Sequence, residues 1–94
     1  MPAVWGMTSG NNLHNRISLQ MLDACYRSGE NKLAAKISAS VQKDLLQQKR
    51  YYQSLDANKQ ANMQYENSVN ENLIQALNEM NKQYNGKENK NFLN

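Results

Sequence analysis

The sequence predicts an all-α protein in which a short N-terminal helix precedes a long helix or a helical hairpin. No Gly or Pro occurs from position 32 to position 84, and this stretch is rich in Ala, Leu, Gln, Lys and Glu, which are strong helix formers. Apolar residues recur three and four positions apart in 13–27 and again in 32–84, the spacing of one helix face. A turn-forming stretch at 28–31 separates the two regions.

The first helix is predicted over about 13–27. Its apolar residues fall into two sets, and we expect the first to form the buried stripe and the second to widen it. The first set is Leu13, Ile17, Met21, Ala24 and Cys25, and the second is Leu19, Leu22 and Tyr26. After this helix, Gly29 suits a left-handed C-cap position, and Asn31 is a candidate cap for the next helix.

The second region, about 32–84, follows a seven-residue repeat that fails in its middle. One seam position holds Leu45, Tyr52, Leu73 and Met80, and its partner position holds Val41, Leu55, Val69 and Ala76. Polar residues take the seam positions between them, namely Lys59, Asn62 and Glu66. A two-stranded coiled coil tolerates one buried polar residue, not three together.

Two arrangements of this region therefore remain open. The helix is continuous, about 80 Å long at 1.5 Å per residue with a solvated middle, or it folds back near 54–62 into a hairpin. Asp56 could cap a new helix after such a break. Ser68 and Glu71 also have the spacing of a capping box ahead of Leu73.

The two ends differ from this helical domain at 13–84. Residues 1–12 hold the only Trp, the only Pro and two of the four Gly, and we expect an irregular arm. Trp is a frequent interface anchor, so Trp5 is a candidate docking residue, which docks on a neighbouring subunit or folds back on the same chain. At the other end, Asn85 and Gly86 are typical of a helix stop, and 85–94 is a polar tail until Phe92.

The residue types needed for catalysis are sparse. The only His and the only Cys, His14 and Cys25, lie about 16 Å apart along one predicted helix, too far for a nucleophile and its base. The acidic residues form no metal-ligand motif, and no Gly-rich phosphate loop occurs. We therefore expect no enzymatic activity, no cofactor and no metal site, and one Cys excludes a disulfide framework.

The composition favours a protein that depends on partners. Leu, Ile, Val and Phe total 17 of 94 residues, so the hydrophobic gain barely exceeds the lost conformational entropy. The leading hypothesis is a structural or assembly subunit of a larger complex, a homo-oligomer or one that packs on other proteins. The composition is similar to that of small virion or secretion-apparatus components. Its expected interface residues are Trp5, Leu45, Tyr52, Val69, Leu73, Leu77 and Met80.

Two alternatives stay open. One is a small adaptor, chaperone or inhibitor that binds one partner through the amphipathic stretch 69–80. The other is a nucleic-acid-binding protein, because 27–50 carries six basic against two acidic side chains. Its candidate phosphate contacts are Lys43, Lys49 and Arg50.

The sequence also bears on location. No run of about 18 apolar residues occurs, so no membrane span is expected. The first ten residues lack the cationic and apolar regions of a secretory signal. We expect synthesis in the cytoplasm without a cleavable signal, followed by incorporation into a virion or a secretion assembly.

Overall fold

A computed structural model describes residues 10–88 of the chain, with side chains from 12 to 84. Within this part the protein is all-α, as predicted, and holds four helices. They are α1 (Gly10–Arg27), α2 (Asn31–Ser54), α3 (Ala57–Asn62) and α4 (Gln64–Glu88). Helices α1, α2 and α4 pack on one another as a three-helix bundle, and the short α3 contacts α4.

The turn between α1 and α2 is built on Gly29. Its φ of 77° is in the left-handed region that side chains disfavour, which confirms the predicted role of this glycine. The Glu30 amide donates to the Cys25 carbonyl at 2.9 Å and closes the end of α1. The prediction that Asn31 caps α2 was wrong: Asn31 is already the first helical residue, and Glu30 is the N-cap, without a side-chain cap bond.

The long segment folds back, so the hairpin arrangement is correct and the continuous 80 Å helix is not. Helix α2 ends at Ser54, and Leu55 has extended backbone angles. Asp56 caps α3 as predicted, because its Oδ1 accepts a hydrogen bond of 2.9 Å from the Lys59 amide. The polar residues that interrupt the heptad pattern thus lie at or next to the turn, where no buried seam forms.

Two predicted boundaries were wrong, and a possible capping box does not form. Helix α1 begins at Gly10 rather than at 13, and α4 continues through Glu88, past the expected stop at Asn85 and Gly86. A single Gly near a helix end costs only about 1 kcal/mol, so this signal does not by itself end a helix. Ser68 and Glu71 lie inside α4 and form no capping box, since the helix has already begun four residues earlier.

The core is small. Its buried apolar side chains come from all three long helices: Leu19, Leu22, Ala34, Val41, Leu45, Val69, Leu73 and Leu77. Five half-buried side chains pack around them, namely Cys25, Tyr26, Ile37, Ile74 and Met80. Full burial of one Leu stabilises a fold by about 1.5–3 kcal/mol, so a core of this size leaves little margin over conformational entropy.

Helices α1 and α4 run in the same direction and are joined at both ends. Near the start, the Asn12 Nδ2 donates to the Glu66 carbonyl at 3.3 Å. Near the end, the Tyr26 and Tyr84 rings stack with centroids 4.6 Å apart, and the Tyr84 hydroxyl donates to Asp23 at 3.1 Å. The Tyr26 hydroxyl donates to Asn81 at 3.1 Å. We call this aromatic contact and its hydrogen bonds the tyrosine clamp.

Candidate protein-interaction face on helix α1

Helix α1 carries large apolar side chains on two opposite sides. One side faces the core and includes Leu19 and Leu22, which are 5% and 0% exposed. At 3.6 residues per turn, the other side lies about 180° away around the helix. It consists of Leu13, Ile17 and Met21, which are 52%, 49% and 53% exposed, and of the exposed Ala24. These four residues are called the outer face below.

This arrangement reverses the sequence prediction for α1. The set expected to be buried lies mostly outside, and the set expected to widen it forms the core contact. Both sets have helical spacing, so periodicity alone cannot choose between them. The choice is made by contacts distant in sequence, above all the stacking of Tyr26 on Tyr84, which turns that side of α1 toward α4. The available signal was that the two sets stand on opposite sides, so only one could face the core.

The inner side of α1 becomes polar toward its N-terminus. Asn12 and Asn15 are buried there, at 3% and 0% exposure, and Asn70 of α4 is buried at 3%. The Asn70 Nδ2 donates to the Leu45 carbonyl at 3.3 Å. Within the described part of the chain, neither the Oδ1 nor the Nδ2 of Asn15 has a hydrogen-bond partner. An unpaired buried polar group costs about 1–3 kcal/mol, so the N-terminal half of α1 is weakly held by its own bundle.

The rim of the outer face is neutral or basic. His14, Arg16 and Gln20 are exposed beside it. Farther along, Asp23 pairs with Arg27 at 2.7 Å, and this carboxylate raises the pKa of the Arg27 guanidinium. The outer face is therefore an apolar strip bordered by neutral and basic side chains.

Most of the predicted interface residues lie in the core of this same chain. Leu45, Val69, Leu73 and Leu77 are at most 9% exposed, so another protein could touch them only if the bundle opened. The buried seam residue is Leu77 and not the predicted Ala76, which is exposed. Whether these four residues contact another chain stays a prediction.

The other three predicted interface residues are Met80, Tyr52 and Trp5. Met80 is half-buried against the core. Tyr52 lines an open cavity of about 540 Å³ at the hairpin end, together with Gln64, Tyr65, Asn67 and Ser68. Trp5 lies outside the described residues.

The candidate phosphate contacts divide between two sides of α2. Lys43 and Arg50 are seven residues apart and exposed, and Lys32 and Lys36 fall on the same side at helical spacing. These four, called the basic row below, lie opposite the buried side of the helix. Lys49 lies off this row, and its Nζ is 3.7 Å from the Glu71 carboxylate.

The described residues, 10–88, hold no group of three or more His, Cys, Asp or Glu side chains placed to bind a metal ion. None of the helices in this part is both long enough and apolar enough to span a membrane.

No protein-family model, no curated protein and no solved structure matches this chain.

Proposed function

We propose that this protein is a non-enzymatic structural subunit that joins copies of itself into a larger assembly through the outer face of α1. The observation that carries the proposal is that α1 is apolar on two opposite sides while its own bundle covers one. A helix that is apolar on both sides is typical of a buried position between two bodies. The composition supports a virion or secretion apparatus as the type of assembly.

The energetics of the bundle support the same function. Its core is small, and the unpaired buried amide of Asn15 lowers the stability that this core provides. Association adds stability to a marginal fold, because anything that binds only the folded state shifts the equilibrium toward it. A subunit can therefore depend on its neighbours for part of its stability.

The test combines light scattering behind size exclusion with circular dichroism over a hundredfold range of concentration. We expect the mass of the wild-type chain to rise above 10.8 kDa as concentration increases. Ile17→Asp should remain a monomer of unchanged helicity, because it places a charge in the middle of the outer face. The matched control is Leu33→Asp on α2, since Leu33 is similarly exposed at 47% and should assemble like wild type.

Two results would refute this function. One is a wild-type chain that keeps its monomer mass at every concentration. The other is assembly of Ile17→Asp at the same concentrations as wild type.

The basic row favours a second candidate function, contact with a polyanion such as nucleic acid. Phosphate contacts make the logarithm of the binding constant fall linearly with the logarithm of the salt concentration, with a slope of roughly 0.7 per contact for single strands. The double variant Lys43→Gln/Arg50→Gln should reduce the slope for a single-stranded oligonucleotide by about 1.4. Lys49→Gln, which lies off the row, is the control, and affinity that does not change with salt would exclude this candidate.

A further inference from the structure

The outer face of α1 adjoins the part of the chain that precedes the described residues. Residues 1–9 lead directly into Gly10, the first residue of α1, and include Val4, Trp5 and Met7. We propose that residues 1–9 of the same chain cover the outer face, with Trp5 over Ile17, and compete there with the neighbouring subunit. The competition rests on the function proposed above, whereas the covering contact does not.

The distances along the chain fit this contact. Ile17 is seven residues into α1 from Gly10, about 10.5 Å at 1.5 Å per residue. Trp5 is five residues before Gly10, and five extended residues span about 16 Å. If two of them reverse the chain direction, the remaining three still reach about 10 Å. Thr8 and Ser9 precede Gly10 at the point where this reversal is needed, and such residues are common in turns.

The size of the outer face favours a short segment of the same chain over a second copy in dilute solution. A stable interface between two proteins buries about 800 Å² on each partner, so a contact between two copies must extend beyond the three half-exposed side chains and one Ala of the outer face. A short tether holds the segment at an effective concentration in the millimolar range. At micromolar protein, residues 1–9 therefore occupy the face before another copy does.

The chemistry of the two surfaces also matches. Residues 1–9 contain no charged side chain, and the outer face contains none either. Bringing them together removes apolar surface from water and desolvates no side-chain charge, whose burial would be costly. Trp contributes the largest apolar area of any side chain to such a contact.

Trp5 is the only tryptophan, so its fluorescence reports on this segment alone. The experiment measures the emission maximum and acrylamide quenching of the full chain at a concentration where light scattering gives the monomer mass. We expect blue-shifted emission and a quenching constant several-fold below that of a peptide of residues 1–9. Ile17→Asp should raise the constant to the peptide value, and Leu33→Asp should leave it at the wild-type value. Thermal melts followed by circular dichroism verify that both variants are folded.

Three results would overturn the inference. The first is a quenching constant in the wild-type chain equal to that of the peptide. The second is protection of Trp5 from acrylamide that Ile17→Asp does not change. The third is protection of Trp5 that appears only at concentrations where the mass doubles. The last would assign the face to a second copy.

The outcome separates this inference from the proposed function. Protection of Trp5 without assembly at any concentration supports the covering contact alone, whereas assembly with an exposed Trp5 supports the subunit role alone. If both hold, Trp5→Ala should lower the concentration at which the chain assembles several-fold, because it weakens the competitor. An unchanged assembly concentration would overturn the competition.

Discussion

Replacing Asn15 by Ala should stabilise the protein although the side chain is completely buried. The substitution removes an amide whose polar atoms have no partner in the described structure, a relief of about 1–3 kcal/mol. Ala also has a higher helix propensity than Asn by about 0.5 kcal/mol. Against this, the cavity left by three heavy atoms costs about 1 kcal/mol. The free energy of unfolding should therefore rise by about 0.5–2.5 kcal/mol.

The matched control is Leu22→Ala. Leu22 lies on the same helix and is also 0% exposed, but its side chain is apolar, so truncation should lower the free energy of unfolding by about 2–5 kcal/mol. Urea unfolding and thermal melts followed by circular dichroism measure both variants. For a chain of this length 1 kcal/mol shifts Tm by roughly 4–8 °C, so the two variants should melt on opposite sides of wild type. If Asn15→Ala were destabilised as strongly as Leu22→Ala, the Asn15 amide would have to be satisfied, and the account of a weakly held α1 would be wrong.

Substitutions at three further positions test local features of the fold, each by urea unfolding. Gly29→Ala should lower the free energy of unfolding by about 1 kcal/mol through the backbone alone, because a Cβ at this position meets nothing within 4 Å; an unchanged midpoint would contradict the left-handed turn. Asp56→Ala should cost up to about 1 kcal/mol through the lost cap on the Lys59 amide, and Asp56→Ser should restore most of it, whereas equal losses would show that the cap is unimportant. Burial raises the pKa of the Glu66 carboxyl in the folded chain above its usual 4.5. Between the unfolded-state pKa and this raised folded-state pKa, the folded chain binds more protons than the unfolded chain. The stability of the fold therefore falls as pH rises through that window. Glu66→Gln should therefore be more stable than wild type at pH 7 and lose this advantage below pH 4.5, and an advantage that persists in acid would point to packing instead.

The parts of the fold that depend on neighbouring residues could be predicted from the sequence. The helical regions, the turn at Gly29 and the cap at Asp56 each follow from local propensity and backbone geometry. The polar residues that interrupted the heptad pattern also marked the turn, although the continuous helix stayed open as an alternative. In each case the physical cause lies within a few residues of its effect.

The orientation of α1 could not be predicted, because it depends on contacts between distant parts of the chain. Tyr84 donates to Asp23 across 61 positions of sequence, and this bond helps to decide which apolar set of α1 turns inward. For the same reason, the sequence identified Leu73 and Leu77 as apolar seam residues but could not show that they pack within their own chain. The candidate site was missed because its residues were assigned to the core.

The unequal ends of α1 give the helix a gradient of local stability. The tyrosine clamp fixes its C-terminal half, whereas its N-terminal half rests on buried asparagines. Amide protons near Ile17 should therefore exchange with solvent through fraying of a single helix end, while those near Tyr26 wait for opening of the whole bundle. The first turn of α1 can then open without unfolding of the other helices. Such an opening costs a few local hydrogen bonds rather than the entire fold.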